Sequence, residues 1–264
     1  MRSARLLADA VLLLWLSLAL LAGLSLLDPN QIDLRHILQG PDGAAWLGYD
    51  DLGRPILARL IAGSRTSLLV AAGVVGTTAL LGTTIGILSA WLGGLWDQLL
   101  VRVIDVFLAF PGILLAISLA GLLGPGIGNV VIALSLVGWV GFARLARAQT
   151  LSVKQREHIT AARALGTPSL AIMRRHVLPL ILAPLIVEAT FAVAGVVIAE
   201  AGLSFLGLGV QPPDPSWGSM IRDGARYMLV APHMVMAPGM AVFAVVLAVN
   251  LLGDRLRDRL DVRL

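Results

Sequence analysis

The chain has 264 residues, 58% of them hydrophobic and 14% charged, with a formal charge of +4 and no cysteine. A soluble domain carries about 25% charged residues, so an ordinary soluble globular fold is excluded at the outset. The absent cysteines remove disulfides and thiolate chemistry, and the positive charges punctuate apolar runs instead of gathering on a polar surface, which sets aside a nucleic-acid binder.

Charge-free runs mark the elements in chain order. Residues 10–27, 66–96, 106–143 and 227–253 contain no charged side chain, and between 177 and 210 only Glu188 and Glu200 interrupt. A spanning helix needs about 20 apolar residues. Spans are therefore expected near 9–27, 68–91, 101–122, 127–148, 180–204 and 232–253, giving an all-α polytopic membrane protein with six transmembrane helices. The first run follows Arg2 and Arg5 and so shares features with a secretory signal. It exceeds the usual 7–15 apolar residues and has no small-x-small site before Asp28, so it is expected to persist as a span.

In the second span, Gly73, Gly76, Gly82 and Gly86 invite close helix contact, and Gly82 with Gly86 forms a small-xxx-small pair. In the third, Arg102 and Asp105 are spaced to pair on one helix face, and Pro111 with Gly112 permits a kink. The stretch LLGPGIGN, residues 122–129, divides the long central run at a turn. With the N-terminus inside, the outer segments hold Arg35, Arg54, Arg59, Arg65, Arg222 and Arg226, six of the 20 Lys and Arg, and the inner segments hold the other fourteen. Short loops rich in Lys and Arg stay cytoplasmic. Both termini and the loop between spans four and five are thus expected inside, with 28–65 and 209–231 outside. In the latter, the prolines of QPPDPSWGSM favour extended or turned backbone, and Trp217 is a candidate for the membrane interface.

The inner loop reads REHITAARALGTPSLAIMRRHVLP, residues 156–179. Arg156, Thr160 and Arg163 form a polar stripe at i, i+4 and i+7, while Ile159, Ala162 and Leu165 fall on another side. Ala161, Ala162 and Ala164 favour helix, and Gly166 suits a helix-ending position of positive φ. Thr167 and Pro168 resemble an N-cap and a first-turn proline. A second helix would then present Leu170, Met173 and Val177. Such a helix, turn and helix either docks on a partner protein or lies on anionic lipid.

Polar groups in the spans are costly and face protein or water. Glu188 is open to two roles, lining a polar pathway or holding helices together. Glu200, near the outer end and followed by Gly202 and Ser204, is expected to be structural. His36, His158, His176 and His233 are expected at different sides or depths, with His176 orienting a loop or helix end. No GxxxxGK[ST], HExxH or GxSxG motif occurs, so no ATP site, metal, cofactor or catalytic residue is expected in this chain.

The inner loop resembles the EAA loop of binding-protein-dependent ABC importer permeases, roughly E-A-A, three residues, G, nine residues, then a histidine-preceded L-P. Ala161, Ala162, Gly166, His176, Leu178 and Pro179 fit, and Thr160 stands where the motif has glutamate. Residues 46–68, 102–117 and 200–221 resemble the outer segment and second span, the third span, and the fifth span of dipeptide and oligopeptide permeases. The C-type subunit of dipeptide, oligopeptide and nickel systems is the nearest branch. The resemblance implies a type I ABC importer transmembrane domain in a bacterial inner membrane. It implies a second homologous permease subunit, two cytoplasmic ATP-binding subunits, an external solute-binding protein and a peptide substrate, with nickel as the alternative. Residues 1–65 would be the first helix and external segment, 66–253 the permease core with its loop at 149–179, and 254–264 a cytoplasmic tail. The loop helices near Glu157 to Gly166 would insert into an ATPase subunit, making Glu157, Thr160, Ala161, Ala162, Gly166, His176 and Pro179 the coupling residues. Asp105 and Pro111 would serve gating. Glu188 and Glu200 also suit an ion-driven secondary transporter, against which the EAA-like loop argues.

Overall fold

The structure, a computed structural model, describes residues 2–22, 28–43 and 45–261. The end of the first expected span, 23–27, and the end of the tail, 262–264, lie outside the described residues. Helices dominate: α1 (Arg2–Leu21), α2 (Ile56–Leu92), α3 (Gly94–Leu108), α4 (Gly112–Leu123), α5 (Ile127–Val153), α6 (Glu157–Ala164), α7 (Ser169–Ile172), α8 (Leu178–Phe205), α9 (Trp217–Ala225) and α10 (His233–Asp261). Among the described residues, Ile56–Leu92, Ile127–Val153, Ser169–Phe205 and His233–Leu260 are long and apolar enough to cross a membrane, and α3 with α4 makes a fifth if that bent pair is one span. α1 contributes a shorter apolar stretch, Leu6–Leu21. The chain is thus an all-α, polytopic membrane protein with four to five candidate spans.

The third expected span is not one continuous helix. α3 and α4 meet at 85°, and Pro111, at φ −59° and ψ 118°, leaves the helical region just before Gly112 starts α4. Proline cannot donate the backbone hydrogen bond that would carry α3 onward. Arg102 and Asp105 are both exposed, and no ion pair joins them, contrary to the expected pairing.

The frame of the bundle is α2 against α5. A Cβ built on Gly82 would lie 2.4 Å from the Trp139 carbonyl oxygen, and one on Gly86 would lie 2.4 Å from that of Ala143. The small-xxx-small pair therefore lets two backbones touch where any side chain would hold them apart. Gly76, in the same helix, faces open space. Above this contact Val70, Val74, Ala133 and Leu134 are buried together, and towards the other end Ile87, Phe142 and Ala146 are.

At the far end of the bundle from the 156–179 loop, residues 28–43 and 45–55 fold over the start of α2. Asp50 organises that segment: it accepts 2.6 Å from Arg54 Nε and 2.8 Å from the Arg54 backbone, and Arg59 Nε stands 3.4 Å away. Trp217 is not an interface residue. It is 3% exposed, donates from Nε1 to the Leu60 carbonyl at 3.0 Å, and packs 6.3 Å from Trp15, whose Nε1 reaches the Ser64 carbonyl at 3.2 Å. The two indoles tie α1 and α9 to the first turns of α2. α9 starts at a reciprocal capping box between Ser216 and Ser219, which satisfies backbone donors that the first turn of any helix leaves open.

The start of α1 and the end of α10 come together. Arg255 Nη1 and Nη2 reach the two oxygens of Asp9 at 2.9 and 2.5 Å. The four histidines lie at two ends of the bundle: His36 stacks on Tyr49 at 4.7 Å while His233 Nε2 meets the Tyr49 carbonyl at 3.2 Å, and in the 156–179 loop the rings of His158 and His176 are 6.2 Å apart.

Candidate functional site

The loop between α5 and α8 is fixed to the bundle by contacts that its own composition does not advertise. α2 ends at Leu92, leaving its last carbonyls without helical partners. Lys154, just past α5, fills that need, its Nζ donating to Ala90 at 3.0 Å and Trp91 at 2.9 Å. The guanidinium of Arg163 lies 4.2 Å over the Trp91 ring, a cation–π contact that holds the last turn of α6 to the end of α2. Beneath α6, Ile159 is fully buried with Val153, Ile172, Val177 and Phe142.

α6 begins after an extended Arg156, with Glu157 in its first turn, where the helix dipole favours an acid. Its other end closes as a Schellman motif. Gly166 N–H donates to Arg163 O at 2.9 Å and Thr167 N–H to Ala162 O at 3.0 Å, with Gly166 at φ +79°. This is the left-handed position at which a Cβ is penalised, as the sequence predicts. The cap of α7 differs from expectation: Pro168, not Thr167, is the N-cap, with no side-chain hydrogen bond.

α7 is also not a separate second helix. It passes through a π-helical turn, Met173–Val177, straight into α8, so that one continuous 37-residue helix, Ser169–Phe205, carries the loop into the membrane. Pro179 is in the first turn of α8, and the Leu178 N–H reaches back to Met173 O. The wider turn accommodates a proline ring that would otherwise press on the carbonyl four residues earlier. His176 is half-buried in this turn.

The apolar residues of the loop divide between two faces. Ile159 and Ala162 face inward, but Leu165 is 85% and Leu170 72% exposed, and Ile172 takes the inward place on α7. Glu157, Thr160, Ala161, Ala164 and Leu165 are all exposed and fall at i, i+3, i+4, i+7 and i+8, one face of α6. The loop thus presents a mixed polar and apolar face on a helix whose opposite face is held against the bundle.

A second fixture near the same end was missed from the sequence. Arg147 of α5 makes a bidentate pair with Asp97 in the first turn of α3, at 2.6 and 2.7 Å, and Ser89 Oγ donates to the same carboxylate at 3.0 Å. Such forked pairs fix orientation as well as distance. Fifty residues separate the partners, so no local signal announced them.

The remaining candidates are dispersed. Glu200 is 1% exposed and accepts from Ser204 at 2.7 Å and from Ser67 of α2 at 3.3 Å, a hydroxyl cage that joins α8 to α2. Glu188 is half-buried and sits against α5, where a Cβ on Gly141 would lie 3.1 Å from its Oε1. Asp105 and Pro111 are exposed near the α3–α4 bend. No three His, Asp or Glu residues among the described residues group to hold a metal.

A family model described as the binding-protein-dependent transport system inner membrane component matches residues 82–264. The glutathione transport system permease protein GsiD of Pectobacterium atrosepticum is 43% identical over 235 residues, covering 89% of this chain and 78% of that protein. GsiD of Escherichia coli O6:K15:H31 gives the same identity and coverage. Among solved structures, an inward-facing conformation of the MetNI methionine ABC transporter superposes with a TM-score of 0.63 at 19% identity, over 78% of this chain and 98% of that one. At that identity the likeness concerns the fold alone.

Proposed function

Since the chain belongs to the family of binding-protein-dependent transport system inner membrane components, we propose that this ABC importer permease subunit passes di- or oligopeptides, short peptides of the glutathione kind included, through a bacterial inner membrane. An external solute-binding protein delivers the solute, a second homologous permease subunit completes the passage, and two cytoplasmic ATP-binding subunits supply the work. The curated relatives named for glutathione transport support the substrate class.

The observation that carries the coupling role is the clamped loop. α6 is held from behind by Lys154, Arg163 and Ile159, and it turns Glu157, Thr160, Ala161 and Leu165 outward. In our account that face enters a groove of an ATPase subunit, and Gly166 sets the angle at which motion passes to α7. Through the unbroken Ser169–Phe205 helix, with His176 and Pro179 in its π-turn region, the motion reaches the membrane. The 85° break at Pro111, beside Asp105, serves as a gate, Glu188 lines the route, and Glu200 braces its helix. Residues 66–253 act as the permease core.

Thr160 offers only a hydroxyl where the family motif has a carboxylate, and Glu157, one turn earlier on the same exposed face, supplies the charge instead. A single exposed charge pair contributes up to about 1 kcal/mol, or about fivefold in affinity. Glu157→Ala should therefore weaken retention of the ATPase subunit two- to fivefold in pull-down, and Thr160→Ala should change it by less than about twofold. Equal retention by both variants and the wild type would remove Glu157 from the interface.

We further propose six spans, with α1 continuing as the first and both ends cytoplasmic. The Asp9–Arg255 pair, which joins the start of α1 to the end of α10, supports a shared side for the termini. Reporter fusions test this arrangement: one after Leu264 should report the cytoplasm and one near Asp214 the exterior, and either result reversed would reject it.

A further inference from the structure

An open groove of about 510 Å³ runs between α2 and α8 at the loop end of the bundle. Its walls are apolar: Leu80, Ile87 and Leu88 from α2, and Leu182, Leu185 and Ile186 from α8. The hydroxyl of Thr84, which also lines it, is already spent on the Leu80 carbonyl at 2.7 Å. Four of the six wall side chains are substantially exposed, Leu80 by 69% and Ile186 by 47%. Among the lining residues only Arg174 is charged. It lies in the π-turn at the mouth of the groove, is exposed, and makes no ion pair or hydrogen bond with a described residue, whereas Lys154 and Arg163 nearby are engaged.

The dimensions and the charge pattern describe one kind of occupant. From Arg174 to Ala189 the wall rises through fifteen residue steps, about 22 Å at 1.5 Å per residue, which exceeds one leaflet of a bilayer whose hydrocarbon core is about 30 Å thick. A long apolar trough with one unpaired guanidinium at its open end matches an acyl tail joined to an anionic headgroup. A helix from a protein partner would have to bring its own acid to Arg174, or else leave that cation covered and unpaired, at a cost. Guanidinium suits phosphate through its planar fork of donors, and basic pockets between membrane helices on the cytoplasmic side recognise anionic headgroups.

We propose that this groove is a binding site for one anionic diacyl phospholipid, with an acyl chain lying between α2 and α8 and its phosphate on Arg174. In the orientation proposed above, the lipid belongs to the cytoplasmic leaflet. Its binding requires neither substrate nor nucleotide, so the site can be tested apart from the transport reading.

The test is native mass spectrometry of the intact transporter complex, stripped of lipid in detergent and titrated with dioleoyl phosphatidylglycerol or dioleoyl phosphatidylcholine. The wild type should bind phosphatidylglycerol more tightly. Arg174→Gln should weaken that binding about fivefold, the effect of one surface cation on an anionic lipid, and leave phosphatidylcholine unchanged. Leu182→Trp, which fills the trough at a partly exposed position, should weaken both lipids, and Arg175→Gln should have less effect than Arg174→Gln. A photo-crosslinking residue at Ile186 should capture phospholipid in membranes. Unchanged phosphatidylglycerol binding in both Arg174→Gln and Leu182→Trp would overturn the proposal, as would capture of the second permease subunit at Ile186.

Discussion

Gly166→Val should cut solute uptake by the assembled transporter about tenfold or more while its ATPase subunits remain bound and continue to hydrolyse ATP. Gly166 holds φ +79°, and a Cβ built there meets nothing within 4 Å. The penalty is therefore one of backbone alone, roughly 1–2 kcal/mol for an ordinary residue and more for a β-branched one. It falls on the break between α6 and α7 and leaves the core packing of the spans untouched. Relieving the strain requires φ to leave the left-handed region, which opens the Schellman bonds from Gly166 to Arg163 and from Thr167 to Ala162 and changes the angle at which α6 meets α7. A graded series isolates the cause. Gly166→Asn should be mild, because asparagine visits this region, Gly166→Ala intermediate and Gly166→Val severe. Uptake and ATP hydrolysis measured together on the same reconstituted complex check the order. Wild-type coupling in the valine variant would remove the turn from the mechanism.

Gly86→Leu should leave little folded permease to extract from the membrane. The Cβ alone would stand 2.4 Å from a backbone oxygen of α5 and 3.0 Å from the Ala146 side chain. Neither neighbour can swing aside as the tip of a flexible side chain could. Overpacking usually costs about 1–3 kcal/mol, and a collision with backbone belongs at or beyond the top of that range, because α2 and α5 must separate along their length. Gly76→Leu, in the same helix but facing open space, is the control. Detergent-extracted yield and thermal midpoint should fall sharply for the first variant and stay near the wild type for the second. Equal behaviour would mean that α2 and α5 do not approach as closely as described.

What the sequence disclosed follows the range of each interaction. The Gly166 turn was legible because positive φ is a local demand that glycine meets, and the long spans were legible because apolar runs without charge are expensive anywhere but a membrane. The inward and outward faces of the loop were only half legible. Spacing put Ile159 and Leu165 on the same side, but it cannot separate an apolar residue that packs on its own chain, like Ile159, from one, like Leu165 or Leu170, left exposed. Pro111 and Gly112 signalled a possible kink, but not a bend of 85°. Trp217 was misplaced because the prolines before it read as extended chain, whereas Ser216 and Ser219 start a helix that carries the indole into the core; the Ser-x-x-Ser spacing was the signal available. Ser204, one helical turn from Glu200, was within reach of sequence reasoning. Ser67, 133 residues away, was not, and neither was the Asp97–Arg147 fork. Lys154 and Arg163 looked like ordinary basic loop residues, yet they hold the loop to Ala90 and Trp91 because the end of a long helix elsewhere in the chain needed partners.

Passage through this chain is expected to be powered by nucleotide hydrolysis in other subunits. The direct measurement is peptide uptake into proteoliposomes holding the complete transporter, with its binding protein, with and without ATP, and with catalytically dead ATPase subunits. Uptake should require ATP and live ATPase subunits and be indifferent to a collapsed ion gradient. Uptake that persists with dead ATPase subunits and disappears when the gradient is collapsed would contradict this expectation.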